Sequence, residues 1–496
     1  MLFSSIVFLF YFLPAVLLLY YLFRRWTPVK NGILLIASLF FYAWGEPWFV
    51  LIMLASIVMN YILALLVDRY REQQIVKFFL ALTVVLNIGL LFVFKYLDFF
   101  LRNIGQAMNR DLPLTNLALP IGISFFTFQA LSYVLDVYRK NGKVQKNPFY
   151  VALYIAFFPQ LIAGPIVRYA SIDEQIVHRK ETWDKFSVGV CRFIAGMGKK
   201  VLLSNNFAIV ADRIFDSYQM GGMPVTLAWL GSIAYTLQIL FDFSGYSDMA
   251  IGLGRMFHVE LPLNFDSPYR SCSIKEFWQR WHITLSRFFI TYVYIPLGGS
   301  RRGRARMLFN TFIVFLLSGL WHGAAWTYVA WGAMQGMLVV LDNLGIVGIR
   351  GREEKRPSRF HIPAPLGWVI TFTLFNLSLF FFRSSSMLTA GQLFKNLLSL
   401  RFNGKLFEIA AQLDISEIYV LKQALELAAP AAVQYLYLFV MLALFVLAFY
   451  LIFHKNAYER ATHNELTSKR CLGICILFIW CVISLSQVST FLYFNF

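Results

Sequence analysis

The sequence predicts an all-α integral membrane protein: a polytopic bundle of about 10–12 spans with re-entrant or interfacial helices among them. Three observations carry this. Hydrophobic residues fill 59% of the 496 positions and charged residues 14%, with a mean hydropathy of +0.62; soluble domains hold about 45–50% and about 25%. Apolar runs near the ~20 residues that a helix needs to cross hydrocarbon recur along the chain. The runs are continuous rather than alternating, which selects helices over a barrel.

Met1–Phe23 is apolar, and its basic residues, Arg24, Arg25 and Lys30, come after it. That is the reverse of a secretory signal, so it reads as a retained span. Asn31–Trp44 and Trp48–Val67 follow, turned by Gly45-Glu46-Pro47. Phe78–Phe94 crosses outward, Lys95–Asn116 reads as a mixed polar loop, and Leu117–Tyr138 crosses back to Arg139, Lys140, Lys143 and Lys146. Basic loops on alternate sides follow the positive-inside rule. Phe149–Val167 holds Pro159, Gly164 and Pro165 within an apolar run. Proline removes a helical hydrogen bond, so the segment reads as a broken, re-entrant piece or a kinked span. Phe186–Leu203 carries Arg192, Lys199 and Lys200, and Pro224–Phe243 runs into FDFSGYSDMAIGLG with Asp242 and Asp248. Carboxylates at membrane depth need partners. Leu261–Tyr269 is a turn-rich link.

Ser273–Ile290 reads as one amphipathic helix. At helical spacing Phe277, Trp281, Leu285 and Phe288 share one face, and Lys275, Gln279, His282 and Ser286 another. Gly298–Arg306, GGSRRGRAR, marks the cytoplasmic side. Met307–Leu320 and Trp326–Leu344 form the next pair, followed by a charged stretch Arg350–Arg359 and a span Leu366–Phe382. Ser384–Ala429, with Asp414 and Glu417, is the least hydrophobic stretch and reads as short helices on the outer side. Val433–Phe453 and Cys471–Phe491 close a single membrane domain over 1–496, with a motif-bearing core in 1–348 and C-terminal spans in 349–496.

The net charge of +18 belongs to these membrane-flanking loops, and no separate basic patch points to nucleic acid. The five cysteines form no CxxC pair and read as small buried hydrophobes rather than metal ligands. Nucleophile elbow, P-loop and HExxH motifs are absent from the sequence.

Two histidines draw the chemistry. His322 ends an apolar run on which Thr311 and Ser318 share its face, with Trp321 and Trp326 beside it. A neutral imidazole takes a proton from a hydroxyl near neutral pH; the alternative is a histidine hydrogen-bonded for packing. His282 either lies solvated at the interface or folds inward to meet His322. Arg280, Arg287, Arg301, Arg302 and Arg304 suit the phosphates of a nucleotide-like donor, or else serve only topology. Bis-histidine haem ligation would suit the pair, but no further ligand cluster accompanies it. A proton-relaying transporter or channel is the competing class.

The stretches FDFSGYSDMAIGLG, FWQRWHITLSRFF, YIPLGGSRRG and SGLWHGAAWTYVAWG, in that order, resemble the membrane-bound O-acyltransferase family. MLFSSIVFLFYFLP, LPIGISFFTFQALSYVLDVYR and FPQLIAGPIVR match its bacterial, alginate O-acetyltransferase-like branch. The resemblance covers the chain up to about Asp342 and weakens beyond Arg350. It implies about eleven spans around a central catalytic tunnel, with His322 catalytic and His282 the second polar position. It also implies a thioester donor, acetyl-CoA or an acyl carrier protein, and no permanently bound cofactor. Further implications are a glycan acceptor, an extracytoplasmic esterase-like acetyltransferase as partner, and a bacterial plasma-membrane location. On this reading His322 acts as base or holds the acyl group, and His282 orients or polarises the thioester. Alginate-like polysaccharide, cellulose and peptidoglycan are the acceptors in view, with D-alanyl transfer to teichoic acid as the alternative.

Overall fold

A computed structural model describes residues 1–217, 222–350, 358–402, 406–411, 413, 419–454 and 467–486. Among these, helix dominates. The one sheet pairs Val347–Ile349 with Phe360–Ile362 in parallel. Among the described residues six helices are long and apolar enough to cross a membrane: Phe49–Arg69, Val76–Met108, Val225–Met256, Arg304–His322, Ala364–Arg383 and Pro430–Phe453. Phe8–Leu22 and Thr27–Ala43 are shorter apolar helices. Several expected spans are therefore short or polar helices rather than full-length apolar ones.

The chain divides into two compact units, Met1–Phe193 with Tyr246–Leu263, and Ile194–Gly245 with Asn264–Phe496. The division falls inside the helices Trp183–Gly198 and Val225–Met256.

In the first unit, Phe3, Phe8, Phe41 and Phe158 form a ring cluster with centroids 5.1–6.5 Å apart. Asn60 and Asn87 exchange amide hydrogen bonds of 3.1 and 2.8 Å, joining two spans by polar groups that lipid would not satisfy. Lys95–Asn116, expected as a loop, is helical as far as Met108. A π-helical turn at Phe92–Tyr96 carries the helix past Lys95. Leu97, Phe100, Leu101 and Ile104 then keep a helical apolar spacing that the intervening charges obscure. The run Phe149–Val167 is broken, as its prolines foretell: Pro148–Ala156 is helical, Phe157 turns extended at ψ 110°, and one short turn spans Phe158–Leu161. Leu153 to Val167 is buried throughout, the condition under which irregular backbone survives at depth. Arg192 and Asp248, both buried, pair at 2.8 Å.

In the second unit, the buried pair Lys200–Asp242 meets at 2.5 Å. Thr236 on the same helix accepts from Asn376 Nδ2 at 2.6 Å, binding Val225–Met256 to Ala364–Arg383. The 32-residue helix Val225–Met256 is largely buried along its length. Ser384–Ala429 contains the short helices Met387–Leu397, Leu406–Ala410 and Tyr419–Ala428; Asp414 and Glu417 lie outside the described residues, as does the chain beyond 486.

Candidate active site

His322 is the last residue of the helix Arg304–His322. Trp326–Asn343 packs back against that helix at a distance only glycine permits. A Cβ at Gly319 would stand 2.3 Å from Tyr328 O and 2.9 Å from Gly332 Cα. At Gly323 a Cβ would lie 2.1 Å from the Tyr328 ring. The two helices thus close tightly beneath the histidine. Its ring stands edge-on to Trp321 at 4.8 Å, Trp331 at 5.1 Å and Phe382 at 5.1 Å. Ser318, one turn earlier, is buried with it, whereas Thr311 spends its hydroxyl on Met307 O at 2.9 Å. Trp326, expected beside His322, is 57% exposed; Trp331, further along the same helix, provides the wall. The Trp331 Nε1–H is buried and has no partner among the described residues. Trp278 Nε1 donates to Gln335 Oε1 at 3.2 Å, and Gln335 Nε2 donates to Ser378 Oγ at 2.7 Å, tying this wall to the neighbouring helices.

His282 departs from the continuous amphipathic helix expected over Ser273–Ile290. One helix ends at Arg280, Trp281 is extended, and a second helix begins at Ile283. His282 between them holds φ 44°, a left-handed conformation that costs a non-glycine residue energy and that clusters at functional sites. The turn moves His282 off the polar face it would share with Lys275 and Gln279 and buries it at 1% exposure. Phe243 stands edge-on to its ring at 4.8 Å and Trp321 at 6.0 Å. Burial drives its imidazole well below the usual histidine range, so the ring is neutral. Both histidines therefore touch the same indole, Trp321, inside protein and away from lipid.

The arginines stand differently. Arg280 is engaged by Glu276 at 3.2 Å and Asp266 at 3.3 Å. Arg287, Arg301 and Arg302 are exposed, and Arg304 donates to Leu344 O at 2.5 Å. Among the described residues no cluster of histidine, cysteine or carboxylate side chains could hold a metal.

Sequence reasoning missed Asn264 and Trp331. Asn264 sits in what reads as a plain link, yet it is fully buried, and its Oδ1 lies 3.3 Å from His282 Nδ1. An asparagine between Pro262 and Asp266 looks like ordinary turn chemistry.

Two buried histidines beside one indole mark a candidate site in the interior of a polytopic helical membrane protein. The profile of the membrane-bound O-acyltransferases matches residues 36–386, and the chain belongs to that family; it is an acyltransferase and a multi-pass membrane protein. It is 42% identical over 400 residues to a probable alginate O-acetylase of Pseudomonas syringae pv. tomato, covering 79% of this chain and 74% of the relative. It is 34% identical to a peptidoglycan O-acetyltransferase of Helicobacter pylori over 100% of this chain and 98% of the relative. A teichoic acid D-alanyltransferase of Bacillus subtilis is 30% identical over 47% of this chain and 60% of the relative.

Proposed function

We propose that this enzyme sits in a bacterial plasma membrane and O-acetylates an exported polysaccharide. The acetyl group comes from a cytoplasmic thioester, acetyl-CoA or an acyl carrier protein, through a central tunnel. The observation that carries this is the pair of buried histidines on one indole. His322 takes the proton of the acceptor hydroxyl, the oxygen attacks the thioester carbonyl, the C–S bond breaks, and the thiol leaves with a proton. The products are an ester and a free thiol. Water excluded by Trp321, Trp331 and Phe382 cannot compete for the acyl group. The exposed arginines 287, 301 and 302 meet the donor's phosphates, and an extracytoplasmic esterase-like acetyltransferase takes the acetyl onward to the glycan. Acetyl transfer to alginate-like, cellulosic or peptidoglycan acceptors is favoured over D-alanyl transfer by the near-complete alignment with an O-acetyltransferase.

Purified, folded His322→Ala should lose acetyl transfer from labelled donor by about 10²–10⁴-fold, the range of a positioned base. Full transfer by that variant, or solute movement without thioester consumption, would sink the reading in favour of a transporter.

A further inference from the structure

Asn264 holds the turn around His282 through both its carbonyls. Its backbone oxygen accepts the Ile283 N–H at 3.0 Å. Its side-chain Oδ1 accepts the Thr284 N–H at 3.2 Å and the Thr284 hydroxyl at 2.9 Å. The same Oδ1 faces His282 Nδ1 at 3.3 Å. Two residues on, Asp266 N–H donates to Arg280 O at 2.9 Å, pinning the end of the helix that precedes His282.

The orientation of the carboxamide follows from these contacts. A backbone N–H can only donate, so the atom facing Thr284 N is the oxygen; a flipped amide would set two donors against each other. A carbonyl oxygen carries no hydrogen, so the proton between Asn264 and His282 belongs to Nδ1. In a neutral imidazole the other nitrogen then bears the lone pair. That nitrogen, Nε2, is buried and has no partner among the described residues. A buried acceptor left unsatisfied costs about 1–3 kcal/mol, a cost that a substrate hydrogen removes.

We infer that Asn264 is a positioning residue that locks His282 as the Nδ1–H tautomer and presents the Nε2 lone pair to substrate. The inference rests on reading His282 as part of the acyl-transfer site. It changes the role drawn from the sequence. Nε2 in this form has no hydrogen to give, so it does not polarise the thioester carbonyl. It receives an O–H: the group it meets is the hydroxyl of the acceptor, which it orients before His322 takes the proton. The left-handed backbone at His282 and the carboxamide act together, the one aiming the ring and the other fixing which nitrogen is basic.

Two variants and one spectrum test this on the full-length protein in micelles. Asn264→Ala frees the tautomer and should lower kcat for acetyl transfer about 10–100-fold, with KM for the thioester within about twofold, as expected where proton transfer rather than binding is lost. Asn264→Asp keeps an acceptor at the same place and should restore most of that loss. Its carboxylate favours the imidazolium, so the acidic limb of the pH–rate profile should move to higher pH. A merely structural role would move neither the limb nor the KM–kcat split. Solid-state ¹⁵N spectra of histidine-labelled protein, with His282→Gln identifying the signal, should show a protonated Nδ1 and a bare Nε2. A protonated Nε2 in the wild type overturns the inference. So does Asn264→Ala with wild-type kcat and pH profile. If His282→Gln instead keeps full transfer while the spectrum shows the Nδ1–H form, the tautomer assignment stands and the role of His282 in acyl transfer fails.

Discussion

At the scale of single residues, membrane burial is tolerated here by pairing charges. Lys200 and Asp242 are both buried and meet at 2.5 Å; Arg192 and Asp248 do the same at 2.8 Å. Removing one partner strands the other, which costs about 3–5 kcal/mol, whereas replacing both with apolar side chains is often neutral. Lys200→Met should therefore sharply lower the melting temperature in detergent, and Lys200→Met combined with Asp242→Leu should recover most of it. A single variant as stable as wild type would show the pair to be idle. The carboxylates are visible in the sequence as intramembrane acids. Their partners are not, because Arg192 and Lys200 sit in a weakly apolar stretch whose depth no periodicity reveals. His322 is legible for the opposite reason: it is an isolated ionisable residue ending an apolar run.

At the scale of elements, the hairpin Arg304–His322 and Trp326–Asn343 owes its closeness to Gly319 and Gly332. Gly319→Ala should push the helices apart, lowering both the melting temperature and acyl transfer. Gly32→Ala, where a Cβ meets nothing within 4 Å, should leave both near wild type, since alanine favours helix by about 1 kcal/mol. Equal behaviour of the two variants would count against the close crossing. The helix pair is readable from its apolar runs and its Gly-rich junction. The break at Trp281–His282 is not, because helical periodicity runs unbroken through it. What interrupts the helix is Asn264, 18 positions earlier, whose hydrogen bonds reward a left-handed turn that local propensity disfavours. A similar limit explains Lys95–Met108, where charges disguised a helix whose apolar spacing continues.

At the scale of the whole molecule, alternating basic loops set the expected orientation, with Gly298–Arg306 on the cytoplasmic side. Arg301→Cys should react with a membrane-impermeant maleimide in inside-out vesicles and resist it in intact cells; labelling in intact cells would reverse the topology. Class and fold were open to reading from composition and run length. Ile123–Tyr138 and Pro148–Ala156 are shorter than a full crossing and are covered by neighbouring side chains.

The 32-residue helix Val225–Met256 spans about 48 Å at 1.5 Å per residue, well beyond a hydrocarbon slab of about 30 Å. Lipid touches little of it, so bilayer thickness has little hold on its depth. Hydrophobic mismatch acts instead on helices such as Pro430–Phe453, whose flanks are bare. The carboxylate-bearing rod is held by side-chain pairing rather than by the thickness of the lipid around it.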